Sequence, residues 1–93
     1  MKPALKRSEQ AANFVLLCVV TDEAGEWTHG SLISEMTDMG YGHTTASTAI
    51  RKLKTDEMIF AERKGTERAT RLFATIKGIT TYARAHGWPV INE

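Results

Sequence analysis

Two groups of side chains have the types and spacing to do chemistry. The first runs from Thr44 to Thr55, where Thr44, Thr45, Ser47, Thr48 and Thr55 bring hydroxyls and Arg51, Lys52 and Lys54 bring positive charge. The second is a set of bases between residues 63 and 71, namely Arg63, Lys64, Arg68 and Arg71. Hydroxyls donate and accept hydrogen bonds, and a guanidinium presents a planar fork of N–H donors that fits paired acceptors. These are the groups that recognise a polyanion, its phosphates by charge and its acceptor edges by the fork. Eight bases fall in residues 51–77 against four acids, whereas residues 1–50 hold three bases and six acids. A net charge of +1 therefore conceals one basic segment. The plain alternative is a solvated basic face with no ligand.

Catalytic constellations are missing from the pattern. There is no glycine-rich phosphate loop, no Cys/His pair in a suitable context and no cluster of carboxylates. Glu35 and Asp38 lie one helical turn apart, a spacing that suits a solvated face equally well. The single Cys18 and the scattered His29, His43 and His86 lack metal-ligand spacing. No enzyme activity, cofactor or metal is expected. One cysteine also forbids an internal disulfide, which fits a cytoplasmic setting. The longest apolar run, Phe14 to Val20, is far too short to span a membrane.

The elements that must position these groups are legible as periodicity and punctuation. With 93 residues, of which 42% are hydrophobic and 25% charged, one domain is expected over residues 1–93, with frayed ends at 1–7 and 88–93. A helix is expected from Ser8, its N-cap, to Thr21; β-strand is the rival for Phe14–Val20, which is apolar nearly all round. A short strand at Glu26-Trp27 leads to Thr28, a second N-cap, and to a helix with Leu32, Ile33 and Met36 on one face. Gly40 and Gly42, on either side of Tyr41, end it. In a third helix over Thr44 to about Glu57, Ala46, Ala49, Ile50 and Leu53 share one sector about 100° wide. The hydroxyls and bases lie opposite, with no acid before Asp56. Exposed helix faces ordinarily favour better helix formers than threonine and serine, so this face is unusual. Strands at Met58–Lys64 and Ala69–Thr75 then flank a glycine-containing loop, the mark of a hairpin. Thr75 caps a last helix with Ile79, Tyr82 and Ala83 inward, closed by Gly87 and Pro89.

The predicted class is mainly α with a small β-hairpin, in the order α-β-α-α-β-β-α of a winged helix-turn-helix. The stretch TTASTAIRKLKTDEMIFAERKGTERATRLFATIKGITTYA resembles the core of MarR- and PadR-type bacterial regulators. The matching features are Ile50 and Leu53, the Met58-Ile59-Phe60 run, the basic wing from Arg63 to Arg71, Phe73, Thr75 and Lys77-Gly78. The resemblance covers about residues 26–84. Two departures stand out: Glu57 occupies the place of the usual glycine after the recognition helix, and the chain is nearer in size to the minimal winged helices of phage, plasmid and archaeal regulators.

The resemblance implies a recognition helix in the major groove of double-stranded DNA and a wing on phosphate or minor groove. Carried over, Thr44, Thr45, Ser47, Thr48, Arg51 and Lys52 are groove residues, and Arg63, Lys64, Arg68 and Arg71 are wing contacts. Arg51 is the candidate for a bidentate guanine contact. Lys54, Lys77 and His43 would contact only the backbone. The function implied is a sequence-specific transcriptional regulator, a repressor, acting as a homodimer with no small-molecule effector. Its interface would use the first and last helices through Phe14, Leu17, Tyr82 and Trp88. The alternative is a winged-helix adaptor or inhibitor that binds another protein. Acids at Glu57, Glu62 and Glu67 that break up the basic face would favour that alternative.

Overall fold

The computed structural model describes residues 6–22, 24–63 and 65–87. The chain is an α+β structure of four helices and a two-stranded antiparallel sheet. Of the residues expected to matter, Lys64 and Trp88, together with the termini 1–5 and 88–93, lie outside the described residues.

Helix α1 (Arg7–Thr21) settles the helix-or-strand question for Phe14–Val20. Ala11, Val15, Leu16 and Val19 are buried, while Phe14, Cys18 and Val20 pack partly against the same core. Lys6, not Ser8, is the N-cap, and it makes no side-chain capping bond. The helix starts early because Arg7 is held from outside: its guanidinium stacks 4.0 Å over the Tyr41 ring and donates to the Gly40 carbonyl at 2.9 Å. That tertiary anchor outweighs a local capping preference of about 1 kcal/mol.

The strand expected at Glu26-Trp27 shrinks to a single bridge between Thr28 and Arg71, beside a bond from Leu72 N–H to the Trp27 carbonyl (2.8 Å). The reason is local. The Asp22 carboxylate accepts the N–H groups of Glu26 (2.7 Å) and Trp27 (3.0 Å), leaving neither to donate to a ladder. Gly25, at φ +65°, lets this loop pass under Phe73, whose ring would stand 2.3 Å from an added Cβ.

Helix α2 (His29–Asp38) opens with a capping box in which Thr28 and Ser31 each bond the other's backbone N–H. It closes at Gly40 (φ +98°), with Tyr41 N–H on the Met36 carbonyl and Gly40 N–H on the Thr37 carbonyl, a Schellman motif. Gly42 belongs to the next helix, as N-cap of α3 (His43–Thr55). The same motif ends α3, with Met58 N–H on Leu53 and Glu57 N–H on Lys54. Here the left-handed position, φ +61°, is occupied by Glu57.

Strands β1 (Ile59–Arg63) and β2 (Thr70–Ala74) pair in the register Ile59↔Ala74 through Arg63↔Thr70. Ile59 and Leu72 face the core, and Phe60 stacks on Phe73 (5.4 Å) across the other face. Thr75 caps α4 (Ile76–Ala85) through a bond from Gly78 N–H. The expected inward position of Ile79 is corrected: Ile79 is exposed, and Gly78 is the buried residue beside Tyr82 and Ala83. An added Cβ on Gly78 would stand 2.0 Å from the Met58 carbonyl oxygen, so the helix is seated by a backbone approach only glycine allows.

One cluster joins every element, with Val15, Leu32, Met36, Ile50, Ile59 and Leu72 all but sealed from solvent. Helix α1 lies across α3, α4 and β2, and α2 lies on α3 and β2. The inner side of α3 is therefore covered, and its outer side is left open.

Candidate functional site

The outer side of α3 carries the groups singled out in the sequence. Ala46, Ala49, Ile50 and Leu53 are buried, as the helical period predicts. Thr44, Thr48, Arg51 and Thr55 form an exposed line at intervals of four, three and four residues. Thr45 and Lys52 flank one edge; Ser47 and Lys54 flank the other.

These hydroxyls differ from those of three other helical threonines. Thr21, Thr37 and Thr81 donate to carbonyls one turn back, at 2.7, 2.9 and 2.7 Å. That habit satisfies a helical threonine internally. Among the described residues, Thr44, Thr45, Ser47 and Thr48 make no side-chain bond at all, and Arg51 and Lys52 have no ion-pair partner. Donors and acceptors along the whole face are available to a ligand.

Along the Thr45 and Lys52 edge runs a groove of about 430 Å³, closed on its far side by Lys6, Arg7 and Ser8 at the start of α1. Sequence reasoning placed Lys6 and Arg7 in a fraying end and missed them as neighbours of α3. The Lys6-Arg7 pair of bases was the available signal. At the opposite edge His29, half-buried at the start of α2, is held below the ordinary histidine range by loss of solvent and then by the positive charges of Lys54 and His43.

The hairpin sorts its charges by strand alternation. Glu62 and Arg71 are cross-strand partners on the Phe60/Phe73 face, whereas Arg63 projects from the opposite face. Arg71 donates Nε and one terminal nitrogen to the two Glu67 oxygens, each at 2.8 Å, and its other terminal nitrogen to the Gly25 carbonyl at 3.2 Å. The pairing raises its already high pKa. Arg71 thus ties the hairpin loop to Gly25, and Glu67 is neutralised within the hairpin. Arg63 and Arg68 are exposed and carry no ion pair among the described residues. Lys77 is exposed and donates to the Asp56 carbonyl (2.9 Å), where it caps the end of α3.

Two of the side chains expected at a dimer interface have internal roles. Phe14 packs on Tyr41 (6.3 Å), and Tyr82 is buried with its ring on His86 (4.1 Å). Leu17 remains exposed beside a groove of about 400 Å³ between α1 and α4. Cys18, half-buried within α1, has its thiol pushed up to about 11 by burial and by Glu35 and Asp22, so it is not poised as a nucleophile. Among the described residues no three metal-binding side chains gather, and no helix is long and apolar enough to cross a membrane.

Comparison with known proteins returns nothing: no family model, no curated protein and no solved structure matches this chain.

Proposed function

We propose that the chain is a winged helix-turn-helix domain that reads double-stranded DNA with α3 and acts as a small dimeric transcriptional repressor. One observation carries the proposal: α3 presents hydroxyls and bases, unsatisfied within the described structure, on a face with no acid between His43 and Thr55. A helix of this kind fits the major groove, where short hydroxyls permit close approach and Arg51 can pair with guanine O6 and N7. Arg63 and Arg68 on the hairpin, with Lys64, supply phosphate contacts. The internal pairing of Glu67 and the segregation of Glu62 from Arg63 favour this over a basic face broken up by acids. Arg71 acts as the clamp that fixes the wing.

In the dimer, Leu17 and the α1–α4 groove meet their symmetry copy, with half-sites about one helical turn apart. Sedimentation showing only monomer at tens of micromolar would remove the dimer and leave the DNA contacts untouched.

The deciding experiment selects bound duplexes from a random pool at near-physiological salt. An enriched motif is expected, with Arg51→Ala costing about 1–3 kcal/mol at one position of it. Arg68→Ala should instead weaken all sequences and lower the salt slope by about one unit. Equal losses on specific and random DNA for Arg51→Ala would contradict its base-reading role. A protein-binding function is favoured by one feature, the open apolar side chains of Phe60, Ile76 and Ile79, with Ile76 84% exposed. It becomes the better explanation if selection enriches nothing.

A further inference from the structure

The groove between α1 and α3 was not foreseen from the sequence, and it is built unlike the rest of the surface. Lys6 and Arg7 enter it from one wall, and Thr44, Thr48 and Lys52 from the other. Three cations and four hydroxyl side chains (Ser8, Thr44, Thr45 and Thr48) thus line one trough, with no acid along it. Glu9 lies in the adjoining depression that it shares with Lys52, yet no ion pair forms there. Arg7 is set in place by the Tyr41 ring and the Gly40 carbonyl, and only one of its five N–H donors is used in doing so. Among the described residues these three cations have no carboxylate partner, which leaves their charge open to an anionic ligand.

We infer that Lys6 and Arg7, with Lys52, bind the DNA backbone beside the segment read by α3, so that the interface extends across this trough onto α1. The inference rests on the DNA-reading role of α3 proposed above. The trough is continuous with the exposed line of α3, because Thr44 and Thr48 belong to both. A strand whose bases face that line has its phosphates at the edge of the groove, within reach of the α1 side. Contacts of this kind fix register and add affinity without reading sequence.

The test compares Lys6→Gln and the double variant Lys6→Gln/Arg7→Gln with the unaltered chain. The probe is a duplex of about 30 bp, long enough for two half-sites one turn apart with flanks. Each lost phosphate contact lowers the salt slope by about 0.9, which at 0.15 M salt amounts to about fivefold in affinity. Lys6→Gln should therefore lose about fivefold and the double variant about 30-fold for each bound protomer, on specific and random duplexes alike. Because Arg7 also anchors α1, a melting curve accompanies each variant. If the double variant does not fold, Lys6→Gln decides alone, since the Lys6 side chain makes no hydrogen bond or ion pair among the described residues. Unchanged affinity and slope for Lys6→Gln, while Arg68→Ala lowers the slope, overturns the inference and leaves the DNA reading standing. Failure of the unaltered chain to bind any duplex overturns both. Lys6-dependent binding of an oligoglutamate peptide in place of duplex would assign the trough to an acidic protein and overturn the inference as well.

Discussion

Gly78 offers the sharpest test of how the hairpin and α4 are joined. In most helices, replacing glycine by alanine stabilises by about 0.5–1 kcal/mol, because alanine has less freedom to lose on folding. At Gly78 the new methyl group would lie 2.0 Å from the Met58 carbonyl oxygen and 3.0 Å from its carbon. Reaching ordinary contact requires the start of α4 to lift by more than an ångström. The same carbonyl accepts the Thr75 N–H at 3.0 Å, a bond the shift breaks, whereas the single proton of the Thr75 hydroxyl goes to the nearer Glu57 carbonyl. That hydrogen bond, worth about 1 kcal/mol, together with partial loss of the Tyr82 and Ala83 packing, outweighs the propensity gain. The net expectation for Gly78→Ala is a loss of about 1–3 kcal/mol, or about 5–20 °C in Tm for a domain of this size. Gly30→Ala is the matched control: its added Cβ meets nothing within 4 Å and its backbone is ordinary helix. It should gain about 0.5–1 kcal/mol and melt about 3–8 °C higher. Thermal melts followed by helical circular dichroism, with urea unfolding to check the free energies, measure both. A Gly78→Ala chain that melts at or above the unaltered protein would refute the seating of α4 on Met58.

Two more predictions concern α3 and its neighbour. Glu57→Gly should raise stability by about 0.5–1 kcal/mol, because a non-glycine residue at φ +61° costs about 1–2 kcal/mol, partly offset by glycine's greater freedom when unfolded; a fall in denaturation midpoint would show that the Glu57 side chain contributes more than its backbone costs. His29 has a folded pKa below its ordinary 6.5, so the unfolded chain takes up that proton first. Its contribution is fully present above pH 6.5 and is lost as pH falls below that value toward the folded pKa. Melting at pH 7.5 and pH 5.5 should show a smaller drop in His29→Gln than in the unaltered chain. An equal drop in both would refute the assignment.

Local rules made much of this molecule readable from its sequence. The sector of Ala46, Ala49, Ile50 and Leu53 follows from helical period alone, and the Thr28 and Thr75 caps from a hydroxyl placed before an apolar stripe. Features set by distant partners were not readable. Ser8 looked like a cap, but the helix begins at Arg7 because Tyr41, some thirty residues away, holds that side chain. Ile79 looked like core, but the Met58 carbonyl rotates Gly78 inward and leaves Ile79 outside. The Glu26-Trp27 strand failed because Asp22 captures its amides first. In the first two cases a nearby propensity worth about 1 kcal/mol lost to a contact that spacing along the chain does not encode, whereas the Asp22 capture is local, made four and five residues away.

Charge illustrates the same limit from the opposite side. Counted along the chain, Glu62 and Glu67 dilute the bases of residues 63–71 and weaken any argument for a polyanionic partner. Counted in space, Glu67 is absorbed by Arg71 in a bidentate pair, and strand alternation turns Glu62 away from Arg63. Lys6 and Arg7, about forty residues from Thr45 and Thr48, close one side of the groove along α3. Because screened charges act over only about 8–10 Å, this spatial grouping, and not the composition of a sequence window, sets the potential that a ligand meets. The positive surface bordering α3 is accordingly stronger than its own segment predicts, and it lies on both sides of the line of hydroxyls only if the hairpin tip turns Arg63 and Arg68 toward Lys54. The Arg68→Ala and Lys6→Gln salt slopes therefore examine two separate edges: two independent losses mean a backbone held on both sides of α3, and a loss at one edge alone means the bound strand crosses only there.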